Sequence, residues 1–319
     1  MTRVTRPLPG EPDMEVDTDR SPTALRTTAR GTAALGTLWT RLGLPPDEPE
    51  VLANRGSLMV RLPRAGVVAR VSTHTGAQRR APGLWLTTEV AVGRVAHAAG
   101  APVVAPADHL GIDAGPHEVD GLWMSLWTDV GGGRGVRPGP EETGAALAAW
   151  HAALDGAGSD LPQLPAGREL ITEALHHSRR GGVLSAREHA ALTHEHLDAL
   201  EQTVGRGTDE VVLHGDAHRG NLLRDRDGRW VWNDLEESCR GPVEWDLAVL
   251  SRSPTPDLGA QALRAYCRAS GRPEPSAEEL APWLRLRELE AGAWTLGCAV
   301  TFPERYAAPA RAFLERVLG

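Results

Sequence analysis

The stretch Glu210-Val-Val-Leu-His-Gly-Asp-Ala-His-Arg-Gly-Asn-Leu-Leu-Arg-Asp-Arg-Asp-Gly-Arg-Trp-Val-Trp-Asn-Asp234 decides how the chain reads. Residues 210–213 form a short β-type run that ends at His214-Gly215-Asp216. Two more such runs, 222–226 and 229–233, flank Asp227-Gly228. Asp-Gly between two runs of this kind signals a hairpin, because a type I′ turn needs φ > 0 at both central residues. With Asp227 and Gly228 as the loop, Arg226 faces Arg229, and five residues further out Asn221 faces Asp234. That register predicts Cβ atoms about 4.5–5.5 Å apart for the Asn221/Asp234 pair. An amide oxygen and a carboxylate so placed can share a hard cation. Mg²⁺ takes a few protein oxygens and leaves its other positions to phosphate and water. Asp216, on the loop entering the first strand, adds a carboxylate for a proton. The plain alternative is a surface hairpin whose Asp and Asn merely satisfy their own turns.

His214-Gly215-Asp216-Ala217-His218-Arg219-Gly220-Asn221, followed by Asp234, resembles the signature of the aminoglycoside phosphotransferase and choline kinase-like family of small-molecule kinases. Protein kinases carry a related His-Arg-Asp loop with Asn at the same spacing and a later Asp on the metal. The resemblance implies an α+β, two-lobed, protein-kinase-like fold, with a small antiparallel-sheet N-lobe and a mostly helical C-lobe. It implies Asp216 as catalytic base and Asn221 and Asp234 as Mg²⁺ ligands. His214 and His218 are implied as structural residues of the loop, and Asp246 as the carboxylate that hydrogen-bonds it. ATP or GTP is the implied co-substrate. The likeness is strong over residues 210–250 and fainter over 52–105. Where the family usually reads Ile-Asp-Phe, this chain has Asn233-Asp234-Leu235. The implied organisation is a mobile arm over 1–22, a nucleotide-binding N-lobe over 23–126, and a C-lobe over 127–319 carrying the catalytic loop, metal and acceptor sites.

Composition narrows the partners. A net charge of −8 argues against a nucleic acid held through its phosphates and suits a cationic small molecule better. The three cysteines are widely spaced, with no CxxC, as expected of reduced packing residues in a cytoplasmic protein. No apolar run is long enough to span a bilayer, and the N-terminus lacks the apolar core of a signal peptide. Lysine is absent, so all 34 basic residues are arginine. That excludes a Walker A loop, a pyridoxal Schiff base and a lysine nucleophile. It also leaves the nucleotide phosphates without the lysine that kinases normally give them.

Upstream, residues 23–42 read as a helix stopped by Pro45-Pro46, and residues 51–73 as three antiparallel strands. The turn Asn54-Arg55-Gly56-Ser57 either covers nucleotide phosphates through its backbone N–H groups, Ser57 included, or is an ordinary hairpin turn. Val67-Val68-Ala69-Arg70 fills the slot of the kinase Val-Ala-Ile-Lys strand, so Arg70 is the implied phosphate residue. A solvated strand arginine is the other reading. Thr87-Thr88-Glu89 opens a helix to about Ala99, with Glu89 the expected partner of Arg70. Residues 102–106 read as a strand, and 121–127 as the last strand and hinge, with adenine pairing to backbone near Ser125 to Trp127. Residues 131–135, Gly-Gly-Gly-Arg-Gly, read as a flexible connector.

The rest reads as mostly helical. Leu147, Trp150, His151 and Leu154 recur on one face of a helix opened by Pro140, with His151 a core histidine. Ser185 with Glu188 and Ser276 with Glu279 are capping boxes. Helices are expected over 257–269, 277–299 and 304–318. Only twelve positions separate Asp234 from Asp246, too few for an activation segment, which disfavours a protein substrate. Glu236 and Glu237 either face the cleft and favour an amine-bearing acceptor or are solvated. The function expected is NTP-dependent phosphoryl transfer to a hydroxyl of a small molecule such as an aminoglycoside or similar antibiotic. The alternatives are another small acceptor (a sugar, an amino alcohol or a secondary metabolite) and a nucleotide-binding module without turnover.

Overall fold

The structure is a computed structural model. It describes residues 21–319 apart from 55, 75–77, 80, 132–135, 159, 165–166, 208 and 254, with the backbone alone of 167–169 and 256. The expected arm lies outside the described residues except for its last two, and so does the connector over 132–135.

The small lobe begins with α1 (Pro22–Arg41), capped by the Ser21 hydroxyl on the Ala24 N–H at 3.2 Å. Five strands follow as one antiparallel sheet: β1 (Glu50–Asn54), β2 (Leu58–Leu62), β3 (Val67–Val71), β4 (His117–Val119) and β5 (Leu122–Thr128). Their spatial order is β1-β2-β3-β5-β4. Val67, Ala69 and Val71 of β3 bury one face of the sheet together with Leu58, Val60, Met124 and Leu126. Between β3 and β4 lies α2 (Pro82–Ala98). It starts five residues earlier than Thr87, because Pro82 at its first turn has φ preset for a helix and lacks an N–H that would go unpaired there. Gly83 and Gly93 let α2 lie against two indoles: an added Cβ would stand 2.8 Å from the Trp123 ring and 2.9 Å from that of Trp127.

Residues 102–106 do not form a strand. Pro102 and Pro106 have no N–H for a ladder. Val103 instead bridges to Trp232, with Trp232 N–H on Pro102 O at 2.7 Å and Val104 N–H on Trp232 O at 2.8 Å. This segment ties the small lobe to the hairpin of the large one.

The large lobe contains α3 (Pro140–Ala153), α4 (Gly167–Arg180), α5 (Ala186–Glu201), α6 (Glu244–Ser251), α7 (Pro256–Ser270), α8 (Ala277–Thr301) and α9 (Pro303–Leu318). Both expected capping boxes are present, at the starts of α5 and α8. Two small ladders hold the chemistry: β6 (Glu210–Leu213) with β9 (Cys239–Pro242), and β7 (Leu222–Arg224) with β8 (Trp230–Trp232). One buried apolar cluster runs from Val90 and Val92 on α2 through Trp127 to Leu147, Trp150, Trp232 and Tyr266, so the floor beneath the hairpin is continuous with the small lobe. Among the described residues no helix is long and apolar enough to cross a membrane.

Helices α3 and α7 meet at Gly144, where an added Cβ would collide with the Ala262 carbonyl and the Tyr266 N–H. Gly144→Ala must push the two backbones apart, and we expect a loss of about 1–3 kcal/mol, as for other overpacked cores. Urea unfolding measures it; an unchanged midpoint would mean the pair separates at no cost.

The β7–β8 hairpin differs from the expected one by a residue. Leu222 pairs with Trp232, Leu223 with Val231 and Arg224 with Trp230. Asp225 N–H bonds Arg229 O at 2.8 Å, so the loop is three residues, with Gly228 at φ 83°. The Asp225 carboxylate causes this: its Oδ1 accepts the N–H groups of Asp227 at 2.9 Å and Arg229 at 2.8 Å. Continued outward, the ladder puts Asn221 opposite Asn233, whose N–H bonds Asn221 O at 3.0 Å. The expected Asn221/Asp234 cross-strand pair is therefore corrected; Asp234 lies just past the strand, at φ 63°.

Candidate active site

The loop leaving β6 is fixed from below by one carboxylate. Asp246, fully buried at the start of α6, accepts the His214 N–H at 2.8 Å and the Gly215 N–H at 3.0 Å. His151 Nε2 stands 3.0 Å from the same carboxylate, and its Nδ1 is 2.9 Å from the Tyr266 hydroxyl. Burial pushes the Tyr266 phenol up to about 12, so it keeps its proton and donates to Nδ1, while Nε2–H donates to Asp246. Gly215, at φ 89°, passes so close to the Glu237 carbonyl that no Cβ fits. Trp245 Nε1–H holds the Gly215 carbonyl at 2.8 Å. His214 links the loop to the end of β8: its Nε2 is 3.1 Å from Asn233 O, and its Nδ1 accepts the Asp216 N–H at 3.3 Å. Burial holds His214 below its ordinary pKa, which keeps the neutral tautomer these two bonds require.

Asp216 emerges above this support. Its Oδ2 accepts Asn221 Nδ2–H at 3.1 Å and lies 3.3 Å from His218 Nε2. Its Oδ1 accepts from Arg287 Nη2 on α8. Burial opposes ionisation, but Arg287 and His218 outweigh it and hold the carboxyl well below the usual range. Asn221 also donates Nδ2–H to Asp216 O at 2.9 Å. Both donations come from Nδ2, which leaves Oδ1 as the side chain's acceptor atom.

Arg70 is the hub between the lobes. Its Nη1 donates to Glu89 Oε1 at 2.5 Å and to Asp234 Oδ1 at 2.7 Å, and its Nη2 to Glu236 Oε2 at 2.6 Å. Its Nε reaches Ser57 Oγ at 3.3 Å. Burial would lower the guanidinium, but the carboxylates of Asp234, Glu236 and Glu89 raise it well above its ordinary value. Burial, with Glu236 and Asp234 close by, lifts Glu89 to about 7 against the pull of Arg70. The Arg70–Glu89 pairing expected from the sequence is present. Asp234 is the most open carboxylate of this hub, its side chain 36% exposed.

Two expectations change. Leu126 N–H bonds Ala114 O at 2.8 Å, Thr128 N–H bonds Ala105 O at 2.9 Å, and β3 takes the other edge of β5. The backbone at Ser125 and Trp127 is thus spent inside the sheet and cannot pair with adenine. Ser125 Oγ instead lies 3.4 Å from Glu89 Oε2 and accepts Trp127 Nε1–H at 2.9 Å. The chain leaves the ladder only after Asp129, whose N–H bonds Gly66 O at 2.8 Å. Glu236 is neither solvated nor open to the cleft: its side chain is 11% exposed, and besides Arg70, Arg79 grips both its oxygens at 3.1 and 3.0 Å. Glu237 lines a small cavity of about 10 Å³ together with Trp85, Leu170, Trp245 and Glu290, room for about one water.

Arg79, Arg287 and Glu290 were not singled out in the sequence. Arg287 Nη1 donates to Glu237 Oε2 at 3.0 Å and Glu290 Oε2 at 2.9 Å. Burial raises Glu237 to about 8 and Glu290 in the same direction, against the pull of Arg287. Glu237 therefore stabilises the fold most when protonated, below about pH 4.5, and that contribution is lost as pH rises through 8. Glu237→Gln should gain in Tm relative to wild type as pH rises from 5 to 9. A constant difference across that range would remove Glu237 from the buried, protonated set.

Among the described residues no cluster of three or more His, Cys, Asp or Glu can hold a metal by itself. The donors on offer are hard oxygens, Asn221 Oδ1 and the open Asp234 carboxylate. They suit Mg²⁺ arriving with phosphates that complete its shell.

A model of the phosphotransferase enzyme family matches residues 51–283. No curated protein matches the sequence. Among solved structures, the chain resembles a choline/ethanolamine kinase family protein from Mesorhizobium loti, with 18% identity, TM-score 0.56, and 92% of this chain and 94% of that one covered. It resembles an amicoumacin kinase in complex with AMP-PNP, with 11% identity, TM-score 0.65, and 88% and 92% covered. It resembles an aminoglycoside phosphotransferase from Streptomyces rimosus, with 16% identity, TM-score 0.57, and 81% and 98% covered. At these identities the likeness is one of fold: a two-lobed kinase fold with an antiparallel sheet in one lobe and helices in the other.

Proposed function

The chain belongs to the phosphotransferase enzyme family and is a small-molecule kinase, and on that premise we propose that it moves the γ-phosphoryl group of ATP or GTP to a hydroxyl of an amine-bearing small molecule. The observation that carries this reading is the Asp216 carboxylate, held ionised on a loop anchored by Asp246 and joined to Asn221, with Asp234 at the Arg70 hub.

Asp216 accepts and orients the acceptor hydroxyl proton, keeping its own proton off at neutral pH. Asn221 and Asp234 hold Mg²⁺. When bound, Mg²⁺ neutralises charge on the transferring phosphates. Arg70 steadies the nucleotide, with Glu89 fixing its direction. Ser57 lies in the turn above it. Most of the rate comes from positioning and charge neutralisation. The acceptor approaches Asp216, and the net charge of −8 suits an ammonium-bearing one; the cavity beside Glu237, of about 10 Å³, is too small to receive it. Aminoglycosides carry such ammonium groups, as do smaller amino alcohols.

Mass spectrometry for phosphorylated product tests the reading, with Mg·ATP or Mg·GTP and a panel of aminoglycosides, nucleoside antibiotics, amino alcohols and sugars. The expected result is a product gaining one phosphate from an amine-bearing acceptor. Nucleotide binding without product from any acceptor counts against it.

A further inference from the structure

We propose that Arg287 is a positioning residue for phosphoryl transfer, acting through Asp216: pinned by Glu237 and Glu290, its guanidinium fixes the direction in which the Asp216 carboxylate meets the acceptor hydroxyl. This rests on the reading of Asp216 given above.

Arg287 lies on α8, 71 residues from Asp216 in sequence, with a side chain only 11% exposed. Its Nη1 is tied to Glu237 and Glu290, at 3.0 and 2.9 Å, and Glu290 is its i+3 neighbour on the same helix. The Trp245 ring lies 5.9 Å from the guanidinium carbon, and Trp245 is itself tied to the Gly215 carbonyl. A planar fork held on one side in this way has a single direction left for Nη2, and Nη2 points at Asp216 Oδ1.

The torsion that turns an aspartate carboxylate is broad and nearly two-fold, so the side chain does not set it alone. Here it is clamped at both oxygens, Oδ2 by Asn221 and Oδ1 by Arg287. Three donors approach a group with about four acceptor sites, which leaves one lone-pair direction for the acceptor hydroxyl. Without Arg287 the carboxylate can swing, and it also faces Glu237 and Glu290 with no cation between them. Catalysis by placement does not survive such freedom.

The test is a double-mutant cycle read in kcat and in the KM for Mg·ATP. Arg287→Met is expected to lower kcat by about 10², the cost of misplacing a catalytic group by about 1 Å. The nucleotide KM should stay within about twofold, because Arg287 makes no contact with the Arg70 hub. In an Asp216→Asn background the same change should add less than about threefold, since the group it positions is gone. A purely structural arginine would cost the same in both backgrounds, and that result overturns the proposal. Since Arg287→Met strands two carboxylates, the cycle is also run with Glu290→Gln/Arg287→Gln in place of Arg287→Met, a double substitution that leaves the net charge of the wild type unchanged. Wild-type turnover in Asp216→Asn overturns both this proposal and the assignment of the base. A slow Asp216→Asn with an equal, additive Arg287 loss overturns the positioning role alone.

Discussion

Asp216→Asn is expected to lower turnover by about 10²–10⁴, the usual range for losing a positioned acid or base, while Mg·nucleotide binding stays near wild type. The substitution keeps the size of the side chain and removes its charge. It also reverses half of its hydrogen bonding. Asp216 now accepts from Arg287 on one oxygen and from Asn221 on the other, with His218 at 3.3 Å. A carboxamide can satisfy Arg287 with its oxygen, but its NH₂ then points at the Asn221 NH₂. The loop's main support does not pass through this side chain; it passes through Asp246, which holds the backbone N–H groups of His214 and Gly215. A modest Tm change with a large kcat change is therefore the expected pattern, and the ligand-induced Tm shift with Mg·ATP should persist. Wild-type turnover in this variant would end the kinase mechanism proposed for the site.

What the sequence made legible was local. The β6 run, the two capping boxes and the helix face carrying His151 each rest on short-range pattern, and each stands in the structure; the Arg70–Glu89 partnership, 19 residues apart, came through the family likeness and is present too. Asp246 was legible only through the family likeness, because its bonds to His214 and Gly215 cross more than thirty residues. The hairpin register failed for a local reason: Asp225 looked like a strand residue, yet its carboxylate captures two backbone N–H groups and lengthens the loop by one. A slip of one residue exchanges the faces of a strand, which moved Asn233 into the place given to Asp234. Helix α4 was missed although Ile171, Ala174, Leu175 and Ser178 recur at i, i+3, i+4 and i+7 and are buried. Arg287 was not singled out at all. The signal was its place: Trp283, Arg287 and Glu290 follow the apolar stripe of α8, so a charged pair falls where the helix is buried. Only the fold reveals that this stripe passes over Asp216.

Arg70→Ala should produce the largest combined effect, because one side chain serves stability and substrate together. Its guanidinium is nearly buried and donates to Glu89, Asp234 and Glu236. Removing it leaves three carboxylates without their shared cation, and only Glu236 keeps another, Arg79. Breaking a buried pair from one side costs about 3–5 kcal/mol, chiefly for the charge left behind. Glu89, already lifted to about 7, would escape part of that cost by taking a proton, so the loss should be smaller at pH 6 than at pH 8. The nucleotide effect must be separated from this. Asp234 released from Arg70 gains freedom as a metal ligand, while the phosphates lose their cation, so Mg²⁺ dependence and nucleotide affinity should move in opposite directions. Arg70→Lys keeps the charge but not the fork; one ammonium cannot span Glu89, Asp234 and Glu236 with the geometry of two terminal nitrogens. It should recover much of the stability and less of the nucleotide affinity. Thermal unfolding with and without saturating Mg·ATP reads both quantities, since a ligand stabilises by RT ln(1 + [L]/Kd) whatever the starting Tm. If Arg70→Ala keeps the wild-type ligand shift while losing stability, Arg70 is a strut between the lobes and another group holds the phosphates. If it keeps its stability, the three carboxylates do not depend on this guanidinium, and the hub joining α2, β3 and the loop after β8 is not what holds Asp234 in place.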